Sequence, residues 1–328
     1  MKPFHTYITR EIPSAGLNLL LEAGSVETWQ DDTPPPREEL LSRVAEADAL
    51  LCLLTDRIDA EVLDAAPKLK VVSAYAVGVD NIDVAAATER GICVCNTPGV
   101  LTNATADLTW ALILAAARRI VEADACTRKG EWRSWGPRLM VGKPVAQSTI
   151  GIIGMGRIGQ AVARRAMGFE MPILYHSGKQ YPDIERLTGA KYVDLDTLLA
   201  ESDFVTIHTP LTPETRGMIG ADQLARMKPS AVLVNTARGP IVDQPALTSA
   251  LREGRLYAAG LDVFEVEPVS QQDPLLELPN VVALPHIGSA DETTRNAMAR
   301  MAAEAILDVS AGRLPAHLVN YDVWDHRR

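Results

Sequence analysis

Residues 149–167 read TIGIIGMGRIGQAVARRAM, and this stretch decides the fold of the chain. The apolar residues before the G-x-G-x-x-G motif predict a buried β-strand, and those after it, to Met167, predict a helix. In that context Gly154 permits a tight turn, Gly156 lets a pyrophosphate approach the backbone, and Gly159 lets helix and strand pack closely. The stretch therefore predicts a dinucleotide-binding βαβ unit, with phosphates at the positive helix end.

The same alternation of strands and helices extends along the chain in both directions. Further strands, which complete a six-stranded doubly wound sheet with the one at 149–153, are predicted at 173–176, 204–208, 231–235, 258–262 and 281–284. Before the motif, a parallel α/β pattern is predicted from strands at 49–54, 69–74 and 92–96 and from helices at 61–66 and 84–90.

A length of 328 residues favours two domains over one. A helical segment at 103–129, apolar on several faces, is predicted to lead into the second domain, and a helical run at 292–307 is predicted to return to the first. The predicted fold class is therefore α/β, with two doubly wound parallel-sheet domains. A Rossmann cofactor domain at 102–285 is inserted into a flavodoxin-like substrate domain at 1–101 and 286–328.

Composition and charge exclude several classes of protein. The net charge of −10 argues against a nucleic-acid partner, and the apolar region at 108–117 is too short to span a membrane. The N-terminus lacks a secretory signal, so we expect a cytoplasmic protein. The four cysteines are Cys52, Cys93, Cys95 and Cys126, and none of them forms a C-x-x-C pair. We expect them to be reduced thiols without a metal or redox role.

Three side chains follow strands of the predicted sheet at its carboxyl edge, where ligands bind in such folds. Arg238 offers a guanidinium for a carboxylate, and His286 offers an acid for a developing alkoxide. Glu267, if hydrogen-bonded to His286, would keep the imidazole protonated near neutral pH. A single loop residue of each type is usually solvated or capping. Together with the dinucleotide motif they predict hydride transfer to a keto acid.

The tip of the second strand of the cofactor domain bears on the choice of cofactor. An NAD enzyme usually places an acidic residue there for the ribose hydroxyls, whereas this chain has Ser177 and Lys179. Both side chains could bind a 2′-phosphate, so NADP(H) is predicted to be preferred, with NAD(H) possible. The alternative, in which Lys179 is an ordinary solvated lysine, stays open.

The chain resembles the D-isomer-specific 2-hydroxyacid dehydrogenase family over nearly its whole length. The resemblance rests on the dinucleotide motif and on three further segments, NTARG at 235–239, LDVFEVEP at 261–268 and PHIGS at 285–289. It implies Arg238 as the substrate clamp, Glu267 as the partner of the histidine and His286 as the acid/base. It also implies that the substrate is bound by Arg238, by His286 and by the backbone amides of Val77 and Gly78.

The motif and the resemblance together predict a set of cofactor contacts. Thr105 is similar to a cofactor-contacting threonine, and Asp262 to the residue that holds the nicotinamide amide, although a turn or cap role would also explain that aspartate. The full predicted set is Gly154, Gly156, Arg157, Ile158, Gly159, Ser177, Lys179, Thr105, His208, Thr209, Pro210, Thr236, Ala237, Asp262 and Gly288.

Within the family the chain is most similar to bacterial glyoxylate/hydroxypyruvate reductases, some of which take 2-keto-aldonates. The resemblance, together with the apolar faces of 103–129 and the tryptophan-bearing loop at 130–137, implies a homodimer. Two alternatives stay open: a nucleotide-sensing corepressor on the same scaffold, and a dehydrogenase of another small oxyanion such as formate. A phosphoglycerate dehydrogenase is disfavoured because no regulatory domain fits after Ser310.

Overall fold

The computed structural model describes residues 4–328, which divide into two compact units. Unit 1 comprises the chain up to Leu101 and from Ser289 onward, and unit 2 is Thr102–Gly288. The return to unit 1 thus begins at Ser289 rather than at the predicted His286. The reason is local, because the Ile287 amide donates to Asp262 Oδ1 at 2.7 Å and ties this segment to unit 2.

Unit 1 contains a five-stranded, fully parallel sheet of order β2-β1-β3-β4-β5, the flavodoxin-like order. Its strands are β1 (His5–Ile8), β2 (Ser25–Thr28), β3 (Ala49–Cys52), β4 (Val71–Ala74) and β5 (Cys93–Cys95). The intervening helices are α1 (Ser14–Ala23), α2 (Arg37–Val44), α3 (Ala60–Asp64) and α4 (Val84–Glu89). The sequence did not predict β1 and β2. Edge strand β2 has no buried residue, so it lacks the apolar run that marks the inner strands.

Unit 2 contains a seven-stranded, fully parallel sheet of order β12-β11-β10-β9-β6-β7-β8, the Rossmann order with one added strand. Its strands are β6 (Ile150–Ile153), β7 (Ile173–His176), β8 (Lys191–Tyr192), β9 (Phe204–Ile207), β10 (Val232–Asn235), β11 (Ala258–Leu261) and β12 (Val281–Ala283). The prediction of six strands missed β8, which has two exposed residues and no apolar pattern. Two parallel-sheet α/β units confirm the predicted fold class.

The helices of unit 2 correct one prediction. They are α5 (Thr102–Ala117), α6 (Ile120–Arg128), α7 (Arg157–Ala166), α8 (Pro182–Thr188), α9 (Leu195–Glu201), α10 (Ala221–Arg226) and α11 (Gln244–Arg252). The single helical segment predicted at 103–129 is two helices, because Arg119 adopts a left-handed conformation at φ 55° and pairs with Glu122. Helix α5 is largely buried, with Ala106 and Ile113 fully enclosed, whereas α6 has no buried residue.

The last helix, α12 (Glu292–Ser310), returns to unit 1 and packs against α1. The two helices approach closely at Gly16, where a Cβ atom would lie 2.2 Å from the Ala299 carbonyl oxygen. Ser73 in β4 also donates to the Ala302 carbonyl at 2.9 Å. The C-terminal segment is therefore part of the core of unit 1.

Three of the four cysteines are buried in the sheet of unit 1. Cys52, Cys93 and Cys95 are buried in it, and burial raises the pKa of the Cys93 thiol to about 11. Cys126 on α6 is only half-buried, unlike the other three. Within residues 4–328, no helix has the length and apolarity needed to cross a membrane.

Candidate active site

The turn after β6 has the close packing that its glycines predict. Gly154 has φ 94°, and a Cβ there would lie 2.7 Å from the His208 carbonyl carbon. At Gly159 a Cβ would lie 2.1 Å from the Gly154 carbonyl oxygen. At Gly156, which caps α7, a Cβ would meet no atom within 4 Å. The backbone there borders open space at a helix N-terminus, which fits a pyrophosphate.

Helix α7 begins at Arg157, inside the motif, rather than after it at Gln160 as predicted. The predicted contacts Arg157 and Ile158 are thus the first two residues of the helix, and Arg157 is exposed. The first-turn amides of α7 belong to these residues, and such amides have no partner within a helix. The backbone N–H groups of the first turn of α7 are therefore free to donate to a ligand beside the glycine turn.

The other strand ends bring further predicted cofactor contacts to this turn. The backbone at His208 and Thr209 packs against Gly154, and the Pro210 carbonyl accepts from Thr215 Oγ1 at 2.7 Å. Burial lowers the pKa of His208 to about 3, and its Nε2 lies 3.0 Å from Thr206 Oγ1. His208 is therefore a neutral imidazole beside the turn.

The end of β7 carries the residues that bear on cofactor choice. Ser177 Oγ lies 3.4 Å from the Met155 amide in the glycine turn, and Tyr192 donates to the Ser177 carbonyl at 3.2 Å. Lys179 is exposed, with Nζ 5.3 Å from the centre of the Tyr181 ring. After β7, the Ser177 hydroxyl therefore lies close to the glycine turn, and the Lys179 side chain is exposed to solvent.

Asp262, at the end of β11, is the most notable buried acid of unit 2. It is 1% exposed, and its Oδ2 has no hydrogen-bond partner among residues 4–328. Burial raises the pKa of this carboxyl, against the opposing effects of the Ile287 amide and the charge of His286. Because a buried oxygen without a partner is costly, Oδ2 fits a ligand that donates a hydrogen bond, such as a carboxamide.

Thr105 and Gly288 lie beside this carboxylate. A Cβ on Gly288 would lie 3.1 Å from Asp262 Oδ2 and 3.6 Å from Thr105 Oγ1. Thr109 Oγ1 donates to the Thr105 carbonyl at 2.8 Å and lies 3.0 Å from Thr236 Oγ1. Thr105, Asp262 and Gly288 thus lie close together, and Thr109, which the sequence did not single out, links Thr105 to Thr236.

Arg238 follows β10 on a turn that Asn235 holds. The Asn235 side chain is 1% exposed; it accepts from the Ala237 amide at 3.0 Å and donates to the Arg238 carbonyl at 2.9 Å. The next residue, Gly239, packs so closely that a Cβ would lie 1.8 Å from the Phe264 carbonyl carbon. These contacts fix the backbone on both sides of Arg238. Sequence reasoning missed the role of Asn235, although asparagine favours turns of this kind, in which its side chain bonds the backbone two residues onward.

His286 and Glu267 are hydrogen-bonded, with His286 Nδ1 2.7 Å from Glu267 Oε2. Glu267 Oε1 accepts from the Phe264 amide at 2.9 Å, so both carboxylate oxygens have partners. His286 has φ 55°, a strained value for a residue other than glycine, of a kind often found at functional sites. Because Nδ1 is bonded to the carboxylate, proton donation to a ligand falls to Nε2.

The charge state of Glu267 follows from its neighbours. Burial raises the pKa of Glu267, but the hydrogen bond and charge of His286, the Phe264 amide and the charge of Arg238 outweigh it and lower the pKa. The carboxylate is therefore anionic at neutral pH and accepts the hydrogen bond from His286 Nδ1. Arg238, Glu267 and His286 all lie in unit 2, whereas Val77 and Gly78 lie in unit 1, in the loop after β4.

Comparison with known proteins identifies the family of the chain. Residues 110–288 match the family model described as D-isomer specific 2-hydroxyacid dehydrogenase, NAD binding domain. A glyoxylate reductase from Korarchaeum cryptofilum is 55% identical over 324 residues, which cover 98% of this chain and 97% of the relative. A glyoxylate reductase from Thermococcus litoralis is 52% identical over 327 residues, with 98% of each chain covered.

Solved structures agree over the same length. A protein from Thermus thermophilus superposes with a TM-score of 0.91 at 48% identity, covering 96% of this chain and 99% of that one. An NADPH-dependent glyoxylate/hydroxypyruvate reductase from Sinorhizobium meliloti, in complex with NADP and malonate, has a TM-score of 0.84 at 30% identity, with 98% of each chain covered. The chain therefore belongs to the D-isomer-specific 2-hydroxyacid dehydrogenase family of nicotinamide-dependent enzymes.

Proposed function

We propose that this enzyme reduces small 2-keto acids, glyoxylate and hydroxypyruvate in particular, to D-2-hydroxy acids. The observation that carries the proposal is the His286–Glu267 pair at 2.7 Å, in the unit that also contains the dinucleotide turn. A charged imidazole is the acid that reduction of a carbonyl needs near neutral pH. The full-length relatives named glyoxylate reductase support the choice of substrate.

In this proposal each residue has a separate task. A bound reduced nicotinamide supplies the hydride for the keto carbon. His286 Nε2 donates a proton to the developing alkoxide, and Glu267 stabilises the imidazolium until that proton leaves. Arg238 holds the carboxylate and carbonyl of the substrate, a geometry that suits its planar guanidinium. The amides of Val77 and Gly78 donate to the substrate carboxylate.

A second set of residues is proposed to hold the cofactor. The amides at Gly156 and at the start of α7 would bind the pyrophosphate, and the free Oδ2 of Asp262 would accept from the nicotinamide amide. The remaining proposed contacts are Gly154, Arg157, Ile158, Gly159, Thr105, His208, Thr209, Pro210, Thr236, Ala237 and Gly288.

We also propose that NADPH is preferred over NADH. Ser177 and Lys179 stand after β7 where an acidic residue would select for ribose hydroxyls, and Lys179 is exposed. The 2′-phosphate of NADPH could accept from both side chains. The S. meliloti enzyme, whose structure contains NADP, supports this choice.

One steady-state screen tests substrate and cofactor together. Glyoxylate, hydroxypyruvate, pyruvate, phenylpyruvate and 2-keto-gluconate would each be assayed with NADPH and with NADH. We expect the highest kcat/KM with glyoxylate or hydroxypyruvate and NADPH. Cofactor binding without turnover of any 2-keto acid would contradict the enzymatic proposal and favour a nucleotide-sensing protein. An equal or higher kcat/KM with NADH would contradict only the cofactor preference.

We propose in addition that the enzyme is a homodimer built on unit 2. Its exposed apolar side chains include Trp132 and Trp135, which are 57% and 79% exposed. Ile120 and Val121 on α6 and Val141 are also exposed. Light scattering should give twice the chain mass of 35.5 kDa. A mass of one chain at micromolar concentration would exclude the dimer.

A further inference from the structure

The loop after β4 in unit 1 carries the two amides that the proposed function assigns to the substrate carboxylate. Its carbonyl groups accept hydrogen bonds from the end of β5. The Thr97 amide donates to the Ala76 carbonyl at 2.8 Å, and Asn96 Nδ2 donates to the Val77 carbonyl at 2.7 Å. Two successive carbonyls of the loop are thus held toward one neighbouring segment.

Peptide geometry converts these contacts into an orientation of the amides. In a planar trans peptide the C=O and the following N–H point in opposite directions. The Ala76 carbonyl belongs to the same peptide as the Val77 N–H, and the Val77 carbonyl to the same peptide as the Gly78 N–H. Because both carbonyls face the end of β5, both N–H groups point away from it. They form a pair of donors on one side of the loop.

The two hydrogen bonds differ in what maintains them. Thr97 is fully buried and donates from its backbone, so nearly any residue at that position would keep its bond. Asn96 is only half-buried and donates from its side chain, which a substitution can remove. Val77 is 37% exposed, so little packing would prevent the Val77–Gly78 peptide from rotating without this bond. A rotated peptide would present its carbonyl, which repels an anion.

We propose that Asn96 is a positioning residue for recognition of the substrate carboxylate. Its side-chain amide fixes the Val77 carbonyl and thereby aims the Gly78 N–H at the carboxylate, without itself contacting the substrate. The inference rests on the proposed function, which assigns the Val77 and Gly78 amides to that carboxylate. It predicts a loss of affinity for carboxylates, with the proton transfer at His286 unaffected.

The test compares wild type with Asn96→Ala and Asn96→Asp. We expect Asn96→Ala to raise the KM for glyoxylate and the Ki of oxamate, a carboxylate that is not reduced, about three- to tenfold, the usual scale of one hydrogen bond. The isosteric Asn96→Asp should lose at least as much, because a carboxylate cannot donate to the Val77 carbonyl. The kcat, the pH profile and the Kd for NADPH should stay within about twofold.

Asn280→Ala is the matched control. Asn280 is also half-buried, and its Nδ2 donates to the Tyr257 carbonyl at 3.0 Å in unit 2. Its loss should lower Tm at most and leave the KM and the oxamate Ki unchanged. The proposal fails if both folded Asn96 variants keep the wild-type KM and Ki, or if they lose kcat and NADPH affinity equally. Wild type without any 2-keto-acid turnover would instead overturn the proposed function itself.

Discussion

Two turns that follow parallel strands, one in each unit, both present backbone N–H groups but are fixed by different forces. The turn after β6 is fixed by close packing, since a Cβ at Gly159 would lie 2.1 Å from the Gly154 carbonyl oxygen. The loop after β4 is fixed by hydrogen bonds to the Ala76 and Val77 carbonyls from a segment that follows β5. Close packing requires glycines at fixed positions, and their spacing can be recognised in the sequence. A hydrogen bond between residues far apart in the chain requires no local sequence pattern.

The two units also differ in their proposed tasks. Unit 2 contains the proposed acid, its carboxylate partner and the dinucleotide turn, so changes at those residues should affect chemistry or cofactor binding. In unit 1 the amides of Val77 and Gly78 are proposed to bind the substrate carboxylate, so changes to that loop should affect KM alone. The predictions below separate these effects.

The largest expected effect is on the acid itself. His286→Ala should lower kcat for glyoxylate reduction at least about a hundredfold, the usual scale for removing a general acid. The Kd for NADPH, measured by fluorescence titration, should remain within about twofold. The proposal is wrong if the variant keeps a near wild-type kcat, or if it loses cofactor binding as severely as turnover. Either result would mean that His286 has a structural role and that unit 2 does not supply the acid.

The second prediction tests packing at the glycine turn. Gly159→Ala should weaken NADPH binding about tenfold or more and lower Tm, because overpacking typically costs about 1–3 kcal/mol and the Gly154 carbonyl must move. Gly168→Ala is the control, since a Cβ there would meet no atom within 4 Å and its φ is not positive. If both variants bind NADPH with equal affinity, packing does not fix the turn.

A change in pH dependence is expected from Glu267→Gln. A carboxylate stabilises the imidazolium, and an amide does not, so the imidazole should lose its proton at lower pH in the variant. The basic limb of the kcat/KM profile for reduction should therefore shift to lower pH, with a smaller loss of activity at acidic pH. Glu265→Gln, an exposed neighbour, should leave the profile unchanged. An unshifted limb in Glu267→Gln would show that the carboxylate does not control the acid.

The smallest effect concerns cofactor choice. Lys179→Ala should raise the KM for NADPH about three- to tenfold, the scale of one exposed charge-assisted contact, and leave the KM for NADH unchanged. The exposed Lys191→Ala in β8 controls for the general loss of one positive charge. Equal changes for both cofactors would mean that Lys179 does not contact the 2′-phosphate.

Prediction from sequence succeeded where the pattern is local. The buried strand and glycine spacing at 149–159 predicted a dinucleotide turn, and strand ends predicted the edge from which Arg238 and His286 emerge. Prediction from sequence failed where an element depends on contacts with other parts of the chain. Strands β2 and β8 are edge strands that have no buried residue and each pair with one neighbouring strand, and the break at Arg119 depends on one backbone angle and an ion pair with Glu122.

The candidate site shows the same division. Glu267 and His286 could be chosen from their places after strands, and the 2.7 Å bond between them is the one that the sequence predicted. The contact of Asn96 with the Val77 carbonyl could not be predicted, because it joins residues 19 positions apart. The turn at Arg238 is different, because Asn235 bonds the backbone two and three residues onward and asparagine favours such turns.

By itself the sequence determined the α/β class, the family, the dinucleotide turn and the residue types available for acid, carboxylate and cation chemistry. The α/β class and the turn are set by periodicity and by glycines, which act over a few residues, whereas the family and the residue roles followed from the resemblance of the segments 235–239, 261–268 and 285–289. Only the tertiary structure decided that His286 belongs to unit 2, that Asp262 Oδ2 is buried without a partner among residues 4–328, and that Asn96 faces the Val77 carbonyl. These outcomes depend on hydrogen bonds and burial between segments far apart in the chain, and folding alone brings such segments together.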